Sequence, residues 1–247
     1  MIIEDRQSKI LELLASEPDL KVADLSRRLF VSEPTVRRDL TELAAKGLVR
    51  KVYGGARLTG PADGEIPFVL REKEKSRAKA ELAKRAAALV QDGSVIFLDA
   101  STSAFHLVPY LASHRDLIVI TAGARTAIEL AKAGIRTFST GGQMILNSFS
   151  YVGRQAEDFC RNFHADICFV SCRGVAWDGT LTDRSVEEAN VRRVMMEQSR
   201  RRVLLADGEK FGKTFFFTQG HTREMDAVIS DRPLPSDLPL RETSWED

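Results

Sequence analysis

The sequence of 247 residues contains few of the side chains that hold metals or form disulfides, and it has no long apolar run. Its cysteines, Cys160, Cys168 and Cys172, are odd in number and show no C-x-x-C spacing, and its four histidines are scattered. We therefore expect no metal site, no disulfide framework and no cofactor, with Cys168 and Cys172 acting as small apolar residues in or beside a strand. No segment approaches the roughly 18 apolar residues that cross a bilayer, and the N-terminus lacks a signal-peptide pattern, so we expect a cytoplasmic protein without membrane contact.

What the sequence does contain is the composition of a globular protein, with 43% hydrophobic and 29% charged residues and a formal net charge of +1. Its length suits a small domain of about 60 residues joined to a larger body. The segment LTGPADGE, with its glycines and proline, is typical of a linker between the two. We predict a first domain over 1–58, a linker over 59–70, a body over 71–232, and an acidic tail containing prolines over 233–247.

The first 58 residues carry the periodicity of three helices followed by a β-hairpin. The apolar positions that we expect to share one core are Ile10, Leu13, Leu14, Val22, Leu25, Leu29, Val36, Leu40 and Leu43. The third helix begins near Ser32, a suitable N-cap, and Pro34 is tolerated in its first turn. Residues 48–53 and 56–58 flank a Gly-Gly turn and predict two short strands. The pattern is that of a helix-turn-helix with a wing.

The outer face of the third helix is basic. Arg38 points away from the apolar side, with Thr35 and Arg37 on its flanks. Between Ser32 and Arg57 there are six basic and three acidic residues, although the whole chain is nearly neutral. A local basic patch is what a DNA backbone requires, so we predict a DNA-binding surface. The alternative is that the arginines only solvate an exposed helix face. The predicted DNA-binding residues are Ser32, Thr35, Arg37, Arg38, Lys51, Tyr53 and Arg57.

From residue 71 onward, apolar runs typical of buried strands alternate with helical segments. We predict strands over 95–98, 117–120, 137–139, 166–170, 203–205 and 227–229, and helices over 71–91, 103–111, 125–133 and 185–200. Ser185 and Glu188 are spaced as a capping box at the start of the last helix. Such alternation predicts an α/β, Rossmann-like domain with a mostly parallel sheet covered on both faces.

Polar loops follow several of these strands, at the edge of a parallel sheet where ligands bind. Hydroxyls, glycines and a lysine suit a phosphate, and aspartates suit sugar hydroxyls. The alternative is that the Ser-Thr-Ser segment only caps a helix. The candidate ligand-binding residues are Asp99, Ser101, Thr102, Ser103, Thr121, Gly123, Gly141, Gly142, Asp183 and Lys210.

Two sets of motifs resemble one family along almost the whole chain. S-x-x-T-V-R-R-D-L followed by K-G-L-V-R and G-G-A, within residues 6–58, is similar to the N-terminal winged helix of DeoR-type bacterial transcriptional regulators. VIFLDASTS, VIVIT, STGG, YVG, DGTLTD and ADGEKFGK then stand in the order seen in DeoR-type effector domains. The resemblance implies operator DNA as partner, a homo-oligomer, and a sensor domain similar to ribose-5-phosphate isomerase that binds a phosphorylated sugar or related metabolite.

The sequence departs from the family pattern in three places. Tyr53 stands where a histidine is common, and tyrosine can also donate to a phosphate. In the motif Asp-x-Gly-[Ser/Thr]-Thr, Ser101 stands in the glycine position and Ser103 in the last position. Ala122 replaces the asparagine that often follows Thr121. The last two differences bear on which effector binds and how tightly, rather than on where it binds.

Three functions are compatible with these patterns. The first is a DNA-binding regulator, a repressor of a carbohydrate operon released by a phosphorylated sugar or polyol, without enzymatic activity. The second is a sugar-phosphate-converting enzyme fused to a DNA-binding module, in which Asp99, Asp183, Glu187 and Lys210 transfer protons. The third is a DNA-binding protein whose body only oligomerises.

Overall fold

The computed structural model describes residues 3–17, 19–45, 47–58 and 67–241. The chain divides into two compact units, residues 1–74 and residues 75–247. Residues 59–66 of the predicted linker and 242–247 of the predicted tail lie outside the described residues. Within the described part, no helix is long and apolar enough to cross a membrane.

The first unit is a winged helix. Its elements are α1 (Ile3–Ser16), β1 (Leu20–Lys21), α2 (Val22–Leu29), α3 (Glu33–Ala45), β2 (Val49–Val52), β3 (Gly55–Leu58) and α4 (Phe68–Lys73). Strands β2 and β3 form the predicted hairpin, in which Val52 pairs with Gly55, and β1 pairs with the other edge of β3. The start of α3, one residue after Ser32, is as predicted.

The core of the first unit is formed by the apolar stripes that the sequence predicts. Ile10, Leu25 and Val36 are completely buried, one from each of the three helices. The structure adds α4, whose Leu70 packs into the same core. Residues 68–70 were predicted to lie in the linker and are instead the first turn of this helix, because Phe68 and Leu70 are buried apolar residues.

The second unit is built on six parallel strands in the order β14-β12-β9-β4-β5-β6. Alternate residues face opposite sides, so Phe97 and Ile96 belong to separate apolar layers. Its elements are α5 (Ser76–Ala87), β4 (Val95–Leu98), α6 (Thr102–Phe105), α7 (Val108–Leu111), β5 (Ile118–Thr121), α8 (Ala124–Lys132), β6 (Arg136–Ser139), β7 (Gln143–Ile145), β8 (Ser150–Val152), α9 (Arg154–Arg161), β9 (Ala165–Val170), β10 (Gly174–Val175), β11 (Thr180–Asp183), α10 (Val186–Glu197), β12 (Ser199–Leu205), β13 (Phe217–His221) and β14 (Ala227–Ile229).

The predicted α/β class and parallel sheet are confirmed, but several elements differ. The helix predicted over 71–91 is two helices, because Lys75 adopts the left-handed region with φ of 53°. The helix predicted over 103–111 is also two short ones, α6 and α7. Two antiparallel sheets, β7-β8 and β10-β11-β13, were not predicted.

The chain beyond β14 packs on the second unit as far as residue 241. Leu238 is buried, and the Thr222 hydroxyl donates to the Pro239 carbonyl. Arg241 pairs with Asp226 at 2.5 Å. This part of the predicted tail is therefore ordered by specific contacts, although it forms neither helix nor strand.

Candidate nucleic-acid interface and ligand site

Helix α3 presents one apolar and one basic face, as its periodicity predicts. Val36 and Leu40 are buried, whereas the side chains of Arg37 and Arg38 are 61% and 78% exposed. The Ser32 carbonyl accepts the Val36 N–H at 3.1 Å, which places Ser32 at the N-cap position. Its hydroxyl lies 2.9 Å from the Thr35 hydroxyl. These four predicted DNA-binding residues therefore belong to one exposed segment.

Both arginines make weak ion pairs along the helix. Arg37 lies 3.2 Å from Glu33, and Arg38 lies 3.4 Å from Glu42. Exposed pairs at this spacing contribute only about 0.3–0.5 kcal/mol. A phosphate or a base edge can therefore replace either carboxylate at little cost.

The wing carries the remaining predicted DNA-binding residues. Lys51 donates to the Thr41 hydroxyl of α3 at 2.6 Å, and Tyr53 is fully exposed at the hairpin turn. Arg57 is bound by Asp19, and this hydrogen bond lowers the pKa of Asp19. Arg50 is not among the predicted DNA-binding residues, but it lies directly opposite Arg57 in the hairpin. The strand register therefore shows that the wing carries one more cation than the predicted residues supply.

A buried ion pair fixes α3 against α1. Asp39 is 1% exposed and accepts hydrogen bonds from Arg6 Nε at 2.5 Å and Arg6 Nη2 at 2.9 Å. This bond raises the pKa of Arg6. The sequence did not predict it, because Asp39 directly follows Arg37 and Arg38 and resembles another solvated charge. Helix α3 is thus oriented partly by a side chain in the middle of its basic segment.

The candidate ligand-binding residues of the second unit gather where the strand order reverses, between β4 and β9. Asp99 follows β4 and is completely buried. Its Oδ1 accepts the Ser101 N–H at 2.9 Å, and its Oδ2 accepts the Ser171 N–H at 2.9 Å. Parallel sheets bind ligands outside such a switch point.

Arg192 of α10 joins the two aspartates that the sequence predicts at this site. Its Nε lies 2.8 Å from Asp99 Oδ2 and its Nη1 lies 2.6 Å from Asp183 Oδ2. Nη1 also donates to Gln219 at 3.1 Å, and Nη2 lies 3.5 Å from Glu188. Burial by itself lowers the pKa of Arg192, but the charges of Asp183, Asp99 and Glu188 outweigh it and raise that pKa. Asp99 and Asp183 therefore share one buried cation.

Lys210 approaches the same network from the loop after β12. Its ammonium donates to the Ser171 hydroxyl at 2.6 Å and lies 3.8 Å from Asp207. Gln219 donates to the Ser171 carbonyl at 3.1 Å, which connects Lys210 to Arg192. Burial lowers the pKa of Lys210. Ser171 and Gln219 were not predicted, since neither belongs to a recognisable motif.

The predicted hydroxyls and glycines mainly organise the loops. Ser101 caps α6 by accepting the Ala104 N–H at 3.0 Å, and the Thr121 hydroxyl accepts the Gly123 N–H at 3.0 Å. Thr102 and Ser103 are buried beside them. Gly141 and Gly142 both have positive φ, and a Cβ at Gly142 would lie 2.6 Å from the Val152 carbonyl oxygen. Backbone packing is therefore sufficient to explain a glycine at 142.

Helix α10 begins differently from the predicted capping box. The Ser185 hydroxyl accepts the Glu188 N–H at 3.1 Å, but the Ser185 N–H donates to Asp183 Oδ1 at 3.2 Å. The Glu188 carboxylate instead accepts from the Ser150 hydroxyl at 2.6 Å. Glu187, named for the enzyme hypothesis, is exposed. Glu188, rather than Glu187, therefore supplies the third carboxylate beside Arg192, in addition to those of Asp99 and Asp183.

The space next to Arg192 is small. A cavity lined by Asp99, Ala122, Ser150, Glu188 and Arg192 among others has a volume of about 10 Å³. That is room for about one water molecule. A sugar-sized ligand does not fit in this space unless part of the network is displaced.

Comparison with known proteins agrees with this two-part organisation. Residues 6–61 match the DeoR-like helix-turn-helix domain, and residues 74–232 match the DeoR C-terminal sensor domain. The transcriptional regulator GolR of Listeria innocua is 35% identical over 231 residues, covering 93% of this chain and 91% of that protein. The glycerol-3-phosphate regulon repressor of Escherichia coli K12 is 29% identical over 231 residues, with the same two coverages, 93% and 91%.

Two solved structures are similar to this chain at low sequence identity. The tetrameric eIF2B beta–delta complex of C. thermophilum has a TM-score of 0.51 and 13% identity, covering 94% of this chain and 70% of that chain. Ribose 5-phosphate isomerase A of Methanocaldococcus jannaschii has a TM-score of 0.43 and 17% identity, covering 55% and 54%.

Proposed function

The chain belongs to the DeoR family of DNA-binding transcriptional regulators, and from that membership we propose that it is a repressor released from its operator by a phosphorylated sugar or polyol. It acts in the cytoplasm as a homo-oligomer and regulates a carbohydrate operon. The observation that carries the proposal is the combination of an exposed arginine face on α3 with a largely buried lysine at the switch point of the sheet.

The proposed DNA interface is α3 together with the wing. Arg37 and Arg38 project from α3, while Ser32 and Thr35 lie at its N-terminal end, the end whose residues contact base edges in helix-turn-helix proteins. Lys51, Tyr53 and Arg57 contact the backbone from the wing, where they fix register without reading sequence. A symmetric oligomer brings two such units to half-sites about 34 Å apart.

Replacing Arg37 or Arg38 by alanine tests this interface. An arginine that reads a base is expected to cost about 1–3 kcal/mol of operator affinity and to relax preference at one position. An arginine that contacts phosphate weakens binding to all sequences alike and reduces the salt dependence. Fluorescence anisotropy with operator and scrambled duplexes at several salt concentrations separates the two roles.

Arg27→Ala is a suitable control, because Arg27 is an exposed arginine of α2 outside the proposed interface. Its operator affinity is expected to equal that of the unchanged protein. Operator binding that survives in both Arg37→Ala and Arg38→Ala would contradict the interface.

The proposed effector site is the outer edge formed by Lys210, Ser171, Asp183 and the loop from Asp99 to Ser103. The Lys210 ammonium is largely buried, so its attraction to a phosphate is screened less than that of a surface lysine. Asp99 and Asp183 are buried and bonded to Arg192, and they can accept hydrogen bonds from sugar hydroxyls once part of that network is displaced. A phosphorylated polyol or sugar offers both kinds of group in one small molecule.

Thermal stability against a panel of phosphorylated sugars and their unphosphorylated parents tests the effector. A ligand at 100 times its dissociation constant stabilises the folded protein by about 2.7 kcal/mol. Because the second ionisation of a phosphate lies near pH 6, we expect affinity to rise as the pH increases from about 5 to 7. Because burial lowers the pKa of Lys210, affinity is expected to fall again at alkaline pH, below the ordinary lysine value of 10.5.

The unphosphorylated parents are the matched controls and are expected to give no shift. A Lys210→Gln variant should show no thermal shift with the phosphorylated ligand, and the fall in affinity at alkaline pH should disappear with it. A flat response of the unchanged protein across the panel would instead favour a body that only oligomerises.

A further inference from the structure

Lys75 is the first residue of the second unit and has an unusual backbone conformation. Helix α4 of the first unit ends at Lys73, and its Leu70 carbonyl accepts the Glu74 N–H at 2.9 Å. Lys75 directly precedes α5, which begins at Ser76. Its φ of 53° and ψ of 34° lie in the left-handed region, which glycine adopts without strain and lysine does not. A lysine therefore stands where its backbone conformation disfavours it.

The Lys75 ammonium reaches the loop that carries the proposed effector lysine. Its Nζ lies 3.2 Å from Asp207 Oδ1 and 2.6 Å from Glu209 Oε2. Asp207 is buried, and its other oxygen lies 3.8 Å from Lys210 Nζ. One buried carboxylate thus interacts with Lys75 on one side and Lys210 on the other. The charges of Lys210 and Lys75 keep the pKa of Asp207 low although burial opposes this, so Asp207 is ionised between two cations.

We propose that Lys75 is a positioning residue of the effector site, which couples occupancy beside Lys210 to the segment that joins the two units. The inference rests on the proposed function, because it requires a phosphorylated ligand at Lys210. It concerns how ligand binding at that site affects the segment that joins the two units, rather than which ligand binds there.

The coupling follows from charge. A bound phosphate adds about −1.5 to −2 charge beside Lys210 and competes with Asp207 for its ammonium. Lys75 then becomes the principal cation available to Asp207 and is held more firmly. By linkage, a form of the protein in which Lys75 is released binds the effector less well. When Lys75 is released in the operator-bound form, operator DNA and effector each weaken the binding of the other.

Lys75→Gly is the decisive variant, because it removes the ammonium and leaves a residue that favours the left-handed backbone. Lys75→Arg keeps the charge and should behave like the unchanged protein. Lys84→Ala removes an exposed lysine from the same helix, α5, and serves as the control. All are compared with operator DNA by fluorescence anisotropy, without ligand and with the phosphorylated sugar that gives the largest thermal shift.

Without ligand, Lys75→Gly is expected to bind the operator about fivefold or more tightly than the unchanged protein, the lower end of typical coupling factors. The concentration of phosphorylated sugar that releases half of the operator should rise by a similar factor. Lys75→Arg and Lys84→Ala should change neither quantity.

Unchanged operator affinity and unchanged release in Lys75→Gly would overturn the inference. If the unchanged protein responds to no phosphorylated sugar, the proposed effector is wrong, and the operator affinity measured without ligand still decides whether Lys75 matters. If Lys75→Gly proves unstable, Lys75→Asn supplies the same test, since asparagine tolerates the left-handed region.

Discussion

Replacement of Arg192 by methionine is expected to destabilise the second unit by about 3–5 kcal/mol, the usual effect of removing one partner from a buried ion pair. The side chain of Arg192 is 7% exposed, and those of Asp99 and Asp183 are each 1% exposed. Without the guanidinium, the carboxylates of Asp99, Asp183 and Glu188 would remain buried close together without the cation that they share. Methionine fills a similar volume, so the loss reports charge rather than a cavity.

Urea unfolding followed by circular dichroism measures the effect, since only a change in midpoint at constant slope reports stability. Arg192→Lys keeps the charge but not the planar fork that reaches both aspartates, so an intermediate loss is expected. Arg154→Met is the matched control: that side chain is 89% exposed and pairs with Asp158, and we expect a change below about 0.5 kcal/mol. An unchanged midpoint in Arg192→Met together with altered effector affinity would assign Arg192 to ligand recognition instead.

The winged helix was predictable because each of its elements is encoded locally. Apolar residues three or four positions apart define the buried face of each helix, and a Gly-Gly turn defines the wing. The start of α3 follows from Ser32 and Pro34 for the same reason. What could not be predicted is the contribution of α4, because residues 59–66 separate its Leu70 from the core that it joins.

The parallel strands of the second unit were predictable from short apolar runs, which fully buried strands require. The antiparallel strands were not. β11 and β13 contain threonine, glutamine, glycine and histidine, and β10 has only two residues, so neither alternation nor hydrophobicity marks them. The predicted helix over 185–200 was also too long, because the polar residues that begin β12 continue the composition of α10.

The ligand site was only partly predictable. Asp99 and Lys210 follow predicted buried strands, and Asp183 stands in a family motif. Arg192 lies 93 residues from Asp99 in sequence, so its role depends on the packing of α10 against the sheet. Glu188 points inward rather than Glu187 because the two residues lie at different angles around the axis of α10. A shift of one residue in the predicted helix is enough to exchange them.

A second large effect is expected in the first unit, where Asp39→Ala should cost about 3 kcal/mol. This loss lies at the lower end of the range of about 3–5 kcal/mol for breaking a buried ion pair, because the Arg6 side chain remains 12% exposed. A unit of this size rarely has more than about 3–5 kcal/mol of stability, so the loss removes a large part of it. Operator binding is then expected to fail at temperatures where the unchanged protein binds, because α3 is no longer held by α1.

The double variant Arg6→Met/Asp39→Leu separates this structural role from a contact with DNA. Replacing both members of a buried pair by apolar residues is often neutral for stability, so the double variant should recover both the unfolding midpoint and operator affinity. Asp24→Ala, which removes the half-buried partner of the exposed Arg27, is the control and should change stability by less than about 0.5 kcal/mol. A double variant that is stable but does not bind operator DNA would show that Asp39 acts at the interface itself. Recovery of both properties would show that the fold uses a charged pair within the basic segment only to set the direction in which Arg37 and Arg38 point.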